Sequence, residues 1–183
     1  MRPLPAHPRS LSEMLAWRLA AVTFLFRWIF RDPKVDMRFL AAGVVLPDLI
    51  DMAAVTFLGG ARAELWAHSL LAPTLVAIVV LLATRRGRRR RAWMALVVAW
   101  LLHLLLDGMW TSGAVFLWPA FGWELPTGGQ SFWPGAWERA MSDPLRWILE
   151  VVGFVYLGVL WMRAGLSDAS RRAQLFATGR LSA

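Results

Sequence analysis

The sequence has no cysteine, a single lysine (Lys34), and charged side chains at only 17% of its 183 positions. Without cysteine there is no disulfide scaffold, no thiolate metal site and no cysteine nucleophile. Charge this sparse, beside 58% hydrophobic residues and a mean hydropathy of +0.50, excludes a disordered chain and departs from the composition of a soluble domain. The length admits one domain and excludes a second catalytic one. The expectation is a single integral membrane domain over residues 1–183, with a short polar N-terminus and a basic C-terminal tail. No repeat or low-complexity tract stands out. The run from Arg2 to Arg9 leads into a segment broken by Glu13 and Arg18 with no small-residue cleavage site, so no cleavable signal peptide is expected.

Arginine supplies nearly all the positive charge in a chain of net charge +8. These arginines punctuate apolar stretches instead of interleaving with an aromatic platform, so they read as membrane-flanking charges and no nucleic-acid partner is expected. The clearest apolar run, residues 65–83, contains His68 as its one titratable group and makes a helix of about 28 Å, enough to cross a bilayer. It ends in Arg85, Arg86 and Arg88 to Arg91, a basic loop assigned to the cytoplasm. Residues 92–106 return antiparallel, which puts His103 at the same end of the pair as His68. Residues 39–60 contain Asp48 and Asp51, and Pro47 predicts a broken or re-entrant helix there. Residues 11–30, carrying Arg18 and Arg27, read as a tilted first span or an interfacial helix. Residues 147–162, with Glu150 inside and Arg163 at the end, make a last span whose tail (Arg171, Arg172, Arg180) places the C-terminus in the cytoplasm. Residues 110–135 predict a short membrane-dipping element and an aromatic interfacial loop. The fold class is all-α, a polytopic membrane helical bundle of four or five spans with a short membrane-dipping or interfacial element, and the lipid bilayer is its partner.

Ionisable groups at membrane depth are costly, and they mark function unless they are paired. Asp48 and Asp51, three apart, project from roughly one helical face. Glu64 and His68 are four apart, as are His103 and Asp107. A helix cap with a partner arginine, a histidine packed in a polar interface, or a hydrogen-bonded pair stitching helices would produce the same pairs. Together, Asp48, Asp51, His68, His103 and Asp107 supply three carboxylates and two imidazoles, a donor set suited to a divalent metal, zinc first, then manganese or iron. Such an ion lowers the pKa of water and polarises a phosphoryl or carbonyl oxygen. Arg62 is then assigned to pair with an anionic substrate oxygen and Glu64 to handle a proton.

Four blocks occur in order: Leu46-Pro47-Asp48-Leu49-Ile50-Asp51; Arg62 leading to His68-Ser69-Leu70-Leu71; His103-Leu104-Leu105-Leu106-Asp107; and Leu117-Trp118-Pro119-Ala120-Phe121-Gly122. In order and spacing this combination resembles the bacterial membrane-bound metal-dependent hydrolases of the YdjM-like type, over residues 43–122. The resemblance implies a small polytopic protein with a metal site at these Asp and His positions, and a hydrolytic activity. The chain departs from the family pattern in having no histidine within residues 11–30, and in having Ala63 and Glu64 where one branch carries a His-Arg pair. The expected function is metal-assisted hydrolysis of a membrane-associated phosphoester or ester, with a lipid-like or phosphorylated substrate. An ion or proton pathway and a noncatalytic membrane scaffold are the alternatives.

Overall fold

A computed structural model of the chain describes residues 14–31, 35–58, 66–124 and 144–181, and these residues are all-α. Seven α-helices occur among them: α1 (Leu15–Phe30), α2 (Met37–Leu58), α3 (Leu71–Ala83), α4 (Arg88–Leu106), α5 (Gly113–Phe116), α6 (Pro144–Arg163) and α7 (Ala169–Thr178). Short 3-10 turns at Trp66–His68 and Met109–Thr111 precede α3 and α5.

Two helices are long and apolar enough to cross a membrane, over Met37–Phe57 and Pro144–Arg163, with 28% and 11% of their apolar windows buried. Helices this little buried are not the interior of a water-soluble protein. Leu75, Ile78, Val79 and Leu82 of α3, with Val151, Val152, Phe154, Val155 and Met162 of α6, turn outward. In water that much contiguous apolar surface would drive association; in lipid it costs nothing.

The first expectation to fail is a break at Pro47, since α2 runs unbroken through it. The proline has no N–H to give the Gly43 carbonyl and its ring crowds that turn. Yet Pro47 is fully buried and α2 lies tightly along α4, so neighbouring packing holds the helix together. Gly43 permits that approach. A Cβ there would collide with the Leu96 carbonyl oxygen, and would come within 2.9 Å of the Ala99 Cβ. Val22 and Phe26 of α1, Leu40 and Val44 of α2, and Ala95 and Ala99 of α4 form one core cluster. A second gathers Ala67, Leu96, Trp100, Leu104, Met109 and Val115.

The second correction concerns residues 65–83. The helix begins only at Leu71 and is 13 residues long, about 20 Å. The chain before it is a 3-10 turn because polar groups claim its backbone. Asp51 Oδ1 accepts the Ala67 N–H at 3.0 Å, Ser69 Oγ donates to the Trp66 carbonyl at 2.6 Å, and Trp100 Nε1 donates to the Ala67 carbonyl at 2.9 Å. The segment after α4 is a 3-10 turn plus α5, tied to this turn by Leu70 N–H donating to the Phe116 carbonyl at 2.7 Å.

Helix α1 starts without a cap of its own, since Met14 offers no side-chain acceptor. Glu150 of α6 fills that role, accepting the Ala16 and Trp17 N–H groups at 3.0 Å each. A carboxylate there satisfies two orphan donors and meets the positive end of the helix dipole. Gly153, one turn on, lets the backbones touch: a Cβ would lie 2.5–2.6 Å from Trp17 N, Trp17 Cα and Ala16 C.

At the opposite end, α7 folds back onto the starts of α2 and α4. Met37 N–H donates to the Gly179 carbonyl at 2.7 Å, Arg38 Nη1 to the Phe176 carbonyl at 2.6 Å, and Arg88 Nη2 to the Thr178 carbonyl at 2.9 Å. The arginine loop and the C-terminal helix therefore share one end of the bundle.

Candidate metal centre

Side chains from three sequence regions meet toward the other end. Asp48 comes from the middle of α2 and His68 from the 3-10 turn. His103 comes from the last turn of α4, and Asp107 from the residue just past it. One donor atom from each of these four residues lies within 4.8 Å of all the others. Asp48 Oδ1 is 3.4 Å from His68 Nε2 and 3.7 Å from His103 Nε2, while Asp107 Oδ2 is 3.9 Å and 3.3 Å from the same two nitrogens. The imidazole centroids are 5.5 Å apart. His68, His103 and the Asp107 side chain are almost wholly buried, whereas the Asp48 side chain keeps 28% of its surface exposed and forms the open side of the cluster.

The helix pattern explains the convergence. His103 and Asp107, four apart, fall on one face of α4. Gly108, with φ of 66°, ends the helix directly after Asp107. The tight α2–α4 contact brings Asp48 alongside. Had α3 begun at residue 65, His68 would sit on its first turn; the 3-10 turn instead carries its ring inward.

Asp51 stands elsewhere. Its Oδ2 accepts from His68 Nδ1 at 2.7 Å, while Oδ1 holds the Ala67 N–H. A carboxylate only accepts, so His68 Nδ1 carries a proton and Nε2 is the ring nitrogen that faces the cluster. Arg62 and Glu64 lie outside the described residues.

The residue that sequence reasoning did not single out is Arg18. Its side chain is 1% exposed, its Nη1 donates to Asp48 Oδ2 at 2.5 Å, and its Nη2 donates to Asp107 Oδ2 at 2.9 Å. Its Nε is also 2.9 Å from Asp107 Oδ1. One signal pointed to it. Carboxylates at membrane depth demand a cation, and Arg18 is the arginine near the start of the first apolar segment.

The donor set passes a test for a metal ion. Among the described residues, His68 Nε2 and both nitrogens of His103 are buried without a hydrogen-bond partner. Such atoms are expensive unless something occupies the space they face. The four Nε2–O separations, 3.3–3.9 Å, approach the edge of about 3.3 Å expected between ligands of a four-coordinate zinc. Two carboxylates also face a single guanidinium, leaving an excess of negative charge.

An Asp/His/Asp/His cluster able to coordinate a metal ion, held within helices that turn apolar faces outward, defines a membrane-associated helical protein with a metal-binding centre. The sequence matches the model of the YdjM inner membrane protein family over residues 12–167, and the chain belongs to that family. No curated protein and no solved structure matches it.

Proposed function

We propose that the protein is a metal-dependent hydrolase acting on a membrane-associated phosphoester or ester. The observation that carries this reading is the pair of unpartnered buried imidazole nitrogens converging with Asp48 and Asp107. Asp48, His68, His103 and Asp107 would hold the ion, zinc first by donor chemistry, with manganese or iron as alternatives. A divalent cation held there supplies polarisation of a phosphoryl or carbonyl oxygen and a water acidic enough to attack near neutral pH.

The chain's own residues do the rest. Asp51 fixes the His68 tautomer and ring plane through Nδ1. Arg18 draws Asp48 Oδ2 to itself, which leaves Oδ1 turned to both histidines, and it holds Asp107 through both oxygens, Oδ2 facing the rings as well. The partly exposed Asp48 marks where a polar headgroup reaches the cluster while its tail stays among the helices. Arg62 and Glu64 remain assigned to the substrate anion and to proton handling.

The whole chain is read as one integral domain with four or five spans: α1, α2, α4 and α6, with the shorter α3 as the fifth. The inner membrane holds it, with the arginine loop and the C-terminus cytoplasmic and the centre toward the opposite interface. Elemental analysis of detergent-purified wild type beside Asp48→Ala, His68→Ala and His103→Ala tests the centre. Turnover of a micellar phosphoester lipid, measured in parallel, tests the activity. Metal retained by wild type and lost with turnover in folded variants is the expected result. Equal metal content in all four proteins would sink the reading.

A further inference from the structure

At the arginine-loop end, α1 and α6 leave between them a groove of about 550 Å³ lined by Phe24, Arg27, Trp28, Tyr156, Val159, Leu160 and Arg163. The two arginines stand at its rim, since Arg27 is in the last turn of α1 and Arg163 ends α6. The floor is apolar and lies deeper: Tyr156 is seven residues before Arg163, about 10 Å along the helix. Its ring meets Phe24 edge-on at 6.0 Å and 89°. Charge at the mouth, aromatic rings below the mouth and an aliphatic wall repeat the profile of a phospholipid.

Two bland explanations for these arginines fail. One is an internal ion pair, but among the described residues no acid lines the groove and neither Arg27 nor Arg163 forms a salt bridge. The described acids nearest this end are committed: Asp36 to Arg38, and Asp168 to the Ser170 N–H at 2.8 Å. The other is capping of helix carbonyls, which arginines commonly provide at C-termini. Elsewhere in the fold arginines do this visibly: Arg38 on Phe176 and Arg88 on Thr178 at the end of α7, and Arg90 on Leu81 and Thr84 at the end of α3. Arg27 and Arg163 make no such bond among the described residues.

We infer that this groove is a binding site for one anionic glycerophospholipid of the leaflet at the arginine-loop end, its phosphate between Arg27 and Arg163 and one acyl chain along Val159 and Leu160. It lies at the end of the bundle opposite the metal centre and does not depend on what that centre does. Charge complementarity selects an anionic headgroup over a zwitterionic one.

The test is native mass spectrometry of the full chain released from detergent. Phosphatidylglycerol or phosphatidylcholine of identical acyl chains is added to wild type, Arg27→Gln, Arg163→Gln, the double variant, and a charge-matched Arg85→Gln/Arg86→Gln control. Wild type should retain a single phosphatidylglycerol in preference to phosphatidylcholine. Each groove variant should weaken that binding roughly fivefold, and the double variant more than tenfold. Phosphatidylcholine binding and metal content should stay at wild-type level, which shows that the variants fold. Equal loss in the Arg85/Arg86 control would make the effect bulk surface charge and overturn the site. So would displacement of the lipid by an equal concentration of inorganic phosphate, because a bare anion would then be the ligand.

Discussion

Asp51 and His68 meet at 2.7 Å through Oδ2 and Nδ1, and the other Asp51 oxygen takes the Ala67 N–H of the same turn. One carboxylate thus fixes both the ring and the backbone that presents it. Outer partners of this kind are worth about 10–100-fold in metal affinity. Asp51→Ala should therefore still bind zinc, weakened by that factor, in equilibrium dialysis of the purified protein. An unchanged dissociation constant would remove Asp51 from the centre.

Arg18 is a guanidinium inside the cluster, bonded to both Asp48 and Asp107. Arg18→Met removes it and leaves Asp48 and Asp107 facing each other in an apolar bundle, a loss of about 3–5 kcal/mol for a broken buried pair. The metal-free variant should melt well below metal-free wild type. Added zinc should raise its midpoint more than it raises that of wild type, because the ion then neutralises both carboxylates. Equal melting of the two metal-free proteins would contradict the buried pairing.

Two glycines of α6 separate close packing from composition. A Cβ at Gly153 meets the α1 backbone at 2.5–2.6 Å, whereas one at Gly158 meets nothing within 4 Å. Gly153→Ala should cost about 1–3 kcal/mol through overpacking. Gly158→Ala should be neutral or stabilise by about 0.5–1 kcal/mol through helix propensity. Denaturation in detergent of the two single variants decides the matter.

Acid should release the C-terminal helix. The hydrogen bond from Arg38 holds the Asp36 carboxyl below its usual range, and Arg38 in turn holds the end of α7. A group whose folded pKa is depressed contributes stability above its unfolded value, about 3.9, and loses it as pH falls through the folded value. Hydrogen exchange in residues 169–178, corrected for intrinsic rates, should be equally slow at pH 7 and 5 and faster near pH 3. Asp36→Asn should abolish the difference.

Much of the centre was legible because a carboxylate or imidazole inside an apolar run is conspicuous. The antiparallel return of residues 92–106 puts His68 beside His103 and Asp107, while Asp48 needs the α2–α4 contact as well. What escaped depended on contacts far apart in sequence. The continuity of α2 through Pro47 is owed to α4, beside Gly43. The late start of α3 is owed to Asp51 and Trp100, which take the N–H and the C=O of Ala67. Arg18 reads locally as a polar interruption of a first span, and its role appears only when both carboxylates are in place. Helical spacing puts Asp51 on one face with Asp48 and does not tell what each carboxylate meets; Asp51 bonds His68 Nδ1 and the Ala67 N–H.

The pairing of Glu150 with the start of α1 bears on biosynthesis. The ribosome completes Asp48, His68, His103 and Asp107 before it reaches Glu150, yet α1, which delivers Arg18 to them, is seated by that late carboxylate. The cap on the segment that carries Arg18 is thus supplied by the distal part of the polypeptide, after every donor of the cluster has been made.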